Sequence, residues 1–106
     1  MNEEESIDLS AIEGFDWDHG NFHKNRLKHN VRPSECEEVF FNEPVIIVDD
    51  PEHSSEQEQR YKVLGVTTNG RKLLLAITLR RNEIRVITAR DQTKKERTLF
   101  EAVRKR

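Results

Sequence analysis

The sequence predicts an α+β fold: two N-terminal helices, a four-stranded antiparallel sheet and a C-terminal helix, in the order α-α-β-β-β-β-α. Three observations point to it. Helix-compatible spacing fills residues 15–40, β-branched runs broken by tight-turn pairs fill residues 45–89, and a helix-capping signature opens the last stretch. At 106 residues and 34% hydrophobic content there is material for one domain with one modest core. Helices packed on one face of the sheet would complete an α+β sandwich.

The first helical segment is expected over Phe15 to Val31, FDWDHGNFHKNRLKHNV. At about 100° per residue, Trp17, Asp18, Asn21, Asn25, Lys28 and His29 would fall within roughly 120° of arc. Such a polar stripe is poor core material, so it either faces solvent or builds a site. A second, two-turn helix is expected after Pro33, with Ser34 as cap and Glu37 closing a capping box. Cys36, Val39 and Phe40 share its apolar face, and Asn42 with Pro44 ends it. As the only cysteine, Cys36 can make no internal disulfide and reads as a packing residue.

Val45 to Val48 is an apolar, β-branched run that reads as a strand, followed by a polar, acidic loop to Gln59. Arg60 to Thr67 and Arg71 to Leu79 flank Asn69-Gly70, a strong hairpin signal. Arg81-Asn82 offers a second tight turn before the strand Glu83 to Ala89. Thr93 and Glu96 then have capping-box spacing, and Leu99, Phe100 and Val103 lie on one face of a closing helix.

Charge divides the chain. Residues 1–14 carry Glu3, Glu4, Glu5, Asp8 and Glu13 with no Lys or Arg, so the net charge of −2 conceals a body with 18 basic and 15 acidic side chains. The expected organisation is an acidic, flexible arm over 1–14 and a single mildly basic domain over 15–106. Neither signal-peptide, transit-peptide nor membrane-span patterns are present, and the chain reads as cytoplasmic.

No phosphate-cradling glycine loop, paired cysteines or HExxH occurs, and the four histidines have no metal-site spacing, so no metal or cofactor is expected. What remains is cationic: Lys24, Lys28, His29, Arg60, Lys62, Arg80, Arg81, Arg85 and Arg90. Such groups suit a polyanion, and Trp17 or Tyr61 could stack on an unpaired base. Metal-free RNA cleavage requires a base for the ribose 2′-OH and cations beside the phosphorane. Strand parity places Arg60 with Lys62 but sets Arg85 and Arg90 on opposite faces unless a bulge or strand end intervenes. His19, His23 and His53 read as surface residues. His29, beside Lys28 at a helix end, is either a capping histidine or an acid-base group.

Several fragments share an order and spacing: Phe15-x-Trp17-Asp18, Asn25-x-x-Lys28-His29-x-Val31, Glu38-Val39-Phe40, Asp50-Pro51, Glu58-x-Arg60-Tyr61, Gly65, Gly70-Arg71, Arg85 to Arg90 and Glu96-Arg97. In these, from about Phe15 to Ala102, the chain resembles the BrnT family of type II toxin-antitoxin toxins, small ribonucleases of RelE-like fold. The resemblance implies a metal-independent endoribonuclease that inhibits translation. It also implies an RNA substrate and a BrnA-like ribbon-helix-helix antitoxin, with operator DNA engaged only through the antitoxin complex. Carried onto matching positions, it makes His29, Arg60 and Arg90 the catalytic candidates, and Trp17, Lys28 and Arg85 the RNA-binding ones. Asn21 departs from the pattern, since many relatives have Lys there. The rival reading is a non-catalytic RNA- or antitoxin-binding module of the same fold.

Overall fold

In the computed structural model, which describes residues 7–105, the chain runs β1 (Gly14–Phe15), α1 (Lys24–His29), α2 (Pro33–Val39), β2 (Ile46–Asp49), β3 (Arg60–Val66), β4 (Lys72–Arg80), β5 (Glu83–Asp91) and α3 (Lys94–Arg104). Glu3, Glu4 and Glu5 of the expected acidic arm lie outside the described residues. The sheet order is β1-β5-β4-β3-β2, with β1 parallel to β5 and the other pairs antiparallel. The expected four-stranded antiparallel sheet is therefore a five-stranded mixed one. The added strand is only two residues long, too short for periodicity to reveal. Just before it, Ile7 and Ile12 pack against the core, and the Glu13 amide donates to the Asn82 carbonyl.

The predicted helix over Phe15 to Val31 shrinks to Lys24–His29. Local polar bonds explain the loss. Asp18 Oδ1 accepts from the Gly20 amide and Asn21 Oδ1 from the Asp18 amide, both 2.8 Å, holding residues 18–21 in a turn. Asn30, in the left-handed region at φ 57°, closes the helix. In α2 the predicted Ser34–Glu37 box is displaced by two residues. The Arg32 amide donates to Glu35 Oε1 at 2.9 Å, Pro33 takes the first helical position, and Glu37 instead accepts from the Trp17 indole.

The Asn69-Gly70 hairpin forms, with Gly70 at φ 91° as the turn's left-handed residue. Arg81 and Asn82, at φ 52° and 67°, make the second tight turn. The Thr93–Glu96 capping box forms as spaced, each side chain accepting from the other's backbone amide.

The helices occupy both faces of the sheet, not one. Val31, Cys36 and Val39 pack on Tyr61, Val63, Leu73, Leu75, Ile77, Val86 and Ala89 as the main core. The opposite face carries Leu64 and Leu74; α3 lies over it with Phe100 fully buried, and Leu99 and Val103 line a cavity with the two leucines. Continuous Leu73-Leu74-Leu75 places apolar side chains on both faces, so a third layer is required. Gly65 lets α2 approach β3, since a Cβ there would come within 3.0 Å of the Val39 side chain.

Past β1, side chains serve the β5 edge. The Asp16 amide donates to the Ile84 carbonyl, Asn21 Nδ2 to the Val86 carbonyl at 3.0 Å, and the Ala89 amide to Asn25 Oδ1 at 3.0 Å. This explains why Asn21 and Asn25 are each only 3% exposed. The two amides of the predicted stripe do share a face, turned inward against a strand edge.

Candidate functional site

One irregularity in the sheet decides which cations meet. Between β4 and β5, Ala76 pairs with Thr88 and Ile77 with Val86, leaving Ile87 as the extra residue of a β-bulge. The bulge resets the parity of β5, so Arg85, Thr88 and Arg90 share the sheet face of Arg60 and Lys62. Sequence parity had set Arg85 and Arg90 on opposite faces; the bulge is the physical reason they are not.

Because α3 covers the Leu64–Leu74 portion of this face, the next row, Lys62–Ala76–Thr88, stays open. The result is a cleft of about 300 Å³ lined by Arg60, Lys62, Thr88 and Arg90, with Asp50 and His53 at one wall and Leu74, Ala76 and Ile87 as floor. Lys62 and Thr88 are two strand spacings apart, roughly 10 Å, a span suited to a phosphodiester and its sugar.

Each arginine brings a carboxylate. Arg60 Nε donates to Glu58 Oε1 at 3.0 Å, an arrangement that engages one edge of the guanidinium and leaves N–H groups for an anion. Glu58 also meets Arg80, and both cations, Arg60 foremost, hold its carboxyl below the usual range. Arg90 grips Glu96 with both terminal nitrogens, at 2.9 and 3.0 Å. That bond, with the Thr93 amide, lowers the Glu96 carboxyl to about 2. Arg90 thus also ties β5 to the start of α3. Lys62 has no ion pair among the described residues and is the uncommitted cation of the cleft.

His53 was expected to be an ordinary surface residue, yet its Nδ1 lies 2.8 Å from Oδ2 of Asp50, which is 5% exposed. The Pro51–His53 turn sets this i, i+3 pair, and the signal was present in the sequence as Asp50-Pro51-x-His53. Asp50, Glu52 and His53 bring one potential ligand atom each within 4.8 Å of one another. Two of the three already satisfy each other, and Glu52 sits on the exposed loop.

The other expected site residues lie outside the cleft lining. His29 is exposed at the end of α1, where its carbonyl accepts from Arg71 Nη2 at 3.3 Å, and its imidazole makes no hydrogen bond among the described residues. Lys28 is exposed on the same turn. Arg85 turns away to Asp18 through two 3.0 Å bonds, with Asp16 close by, and these carboxylates strengthen its hold on its proton. Trp17 packs partly buried against the core, its indole donating to Glu37 Oε2 at 2.8 Å. Arg71, not singled out for a site, ties Asp91 and the Asn30 carbonyl at 2.6 and 2.8 Å, anchoring the α1–α2 junction to the sheet.

Fold and cleft together define a small α+β protein with a cation-lined cleft on an open sheet face. Residues 17–96 match the family described as the ribonuclease toxin, BrnT, of type II toxin-antitoxin systems. The chain belongs to that family, as a toxin with ribonuclease activity, and its partners are accordingly RNA and an antitoxin. No curated protein matches the chain. No helix among the described residues is long and apolar enough to cross a membrane.

Proposed function

We propose that the chain is a metal-independent endoribonuclease that inhibits translation, with the cleft between β3 and β5 as the site where RNA is cut. The observation that carries this reading is the bulge at Ile87, which gathers Arg60, Lys62, Thr88 and Arg90 on one uncovered face. Fixed side-chain cations stabilise the doubly charged phosphorane as a metal ion would, and in a partly desolvated cleft each donor matters most in the transition state. Arg60, with its free guanidinium edge, and Lys62 contact the phosphate. Arg90, fixed by Glu96, supplies a preorganised charge at the far wall. Lys28 extends the basic surface along the end of α1 and steers RNA by charge, with His29 beside it.

In this reading the antitoxin is BrnA-like, with a ribbon-helix-helix domain. The toxin meets operator DNA only through that partner.

The test is cleavage of a defined RNA by purified protein in EDTA. Cleavage that Arg60→Ala reduces by about 10²-fold or more supports the reading, the size expected for losing one transition-state donor. An intact chain that binds the RNA without cutting it would instead make the protein a binding module of the same fold.

A further inference from the structure

We propose that His53, oriented by Asp50, is the acid-base catalyst of the cleft, an assignment that rests on the reading of the cleft as the site of RNA cleavage. Of the four histidines, His53 is the one that lines the cleft beside Arg60 and Lys62. With its proton on Nδ1, the imidazole donates to the buried Asp50 carboxylate at 2.8 Å, and Nε2 is left free to accept a proton. The His53 side chain is 57% exposed and so open to substrate, while Asp50 is sealed beneath it.

The loop is braced against the strand that carries the phosphate-binding cations. The Asp50 amide donates to the Arg60 carbonyl at 2.9 Å, Ser54 Oγ donates to the Asp50 carbonyl at 2.8 Å, and the Arg60 amide donates to Ser54 Oγ at 2.8 Å. These bonds fix the imidazole relative to Arg60, the preorganisation that proton transfer requires.

The chemistry balances without a co-reactant. Nε2 of His53 takes the proton of a ribose 2′-OH as that oxygen bonds to the adjacent phosphorus. The bond from phosphorus to the 5′-oxygen breaks, and the leaving oxygen takes a proton from the Lys62 ammonium. Solvent then restores both side chains. The products are a 2′,3′-cyclic phosphate and a 5′-hydroxyl. Asp50 acts through His53 as a positioning residue, holding its tautomer.

The test measures kcat and KM in EDTA on an oligodeoxynucleotide containing a single ribonucleotide, for the intact chain and for His53→Ala, Asp50→Asn and His19→Ala. Circular dichroism verifies the fold of each. His53→Ala should lower kcat by about 10²-fold or more with KM little changed, and added imidazole should restore part of it. Asp50→Asn should lower kcat by about tenfold at similar KM, and His19→Ala, at an exposed histidine outside the cleft lining, should stay within about twofold of the intact chain. Retained activity in His53→Ala, or a loss that imidazole does not restore, overturns the assignment while leaving the cleft as the nuclease site. An intact chain that does not cleave overturns both.

Discussion

At the residue scale, side chains of the same type do different work according to what already holds them. Arg60, Arg85 and Arg90 share a sheet face, yet Arg85 is closed by two aspartates and Arg90 by Glu96, whereas Arg60 keeps an edge free. Arg60→Ala should therefore cost activity heavily but stability little, about 0.5 kcal/mol or less, since a part-exposed ion pair contributes little. Thermal melts beside cleavage assays check the split. Asn21 presents the converse. Its amide bonds the Asp16 and Val86 carbonyls and the Asp18 amide, so Asn21→Ala should destabilise by about 2 kcal/mol in urea unfolding, leaving several buried groups unpaired. The sequence showed Asn21 and Asn25 as one stripe, and that juxtaposition holds. Their inward direction was not legible, because the strand edge they complete lies more than sixty residues away. His53 was legible in principle, since Asp50-Pro51-x-His53 is a turn that returns the imidazole to the carboxylate. What the sequence could not show was that this turn stands beside Arg60.

At the element scale, what was legible followed how local the controlling bonds are. The Thr93–Glu96 capping box and the Asn69-Gly70 and Arg81-Asn82 turns formed as read, because each is decided within four residues. The first helix did not extend to Phe15, because Asp18 and Asn21 bond nearby backbone amides in competition with the helix. β1 escaped notice because two residues carry no period and their pairing with β5 is long-range. The α2–β3 contact depends on a missing side chain at Gly65, against which Val39 is seated. Gly65→Ala should displace α2 and destabilise the fold by about 1 to 3 kcal/mol, read from the urea midpoint with the slope unchanged.

At the scale of the whole molecule, the third layer both stabilises the sheet and defines the site. By covering only the Leu64–Leu74 portion of its face, α3 leaves the cationic row open, and the Arg90–Glu96 pair joins the cleft to the start of that helix. This link gives the fold a specific acid sensitivity. Glu96 is held at about 2, below its ordinary 4.5, so its contribution is complete above about pH 4.5 and is lost as the pH falls toward 2. Allowing for solvent screening, about 1 to 2 kcal/mol should disappear across that window. Glu96→Gln should flatten the pH dependence of the melting temperature there; an unchanged slope would show that the pair contributes nothing to folding.

The central claim is that RNA is engaged on the open β3–β5 face. Its most direct test is a two-dimensional 1H–15N NMR titration of the protein with an RNA oligonucleotide whose 2′-hydroxyls are methylated, so that it binds without being cut. The largest amide shifts should fall at His53, Arg60, Lys62, Thr88 and Arg90, with smaller ones at Lys28 and His29. Shifts centred on the end of α1, with the cleft unperturbed, would contradict the account.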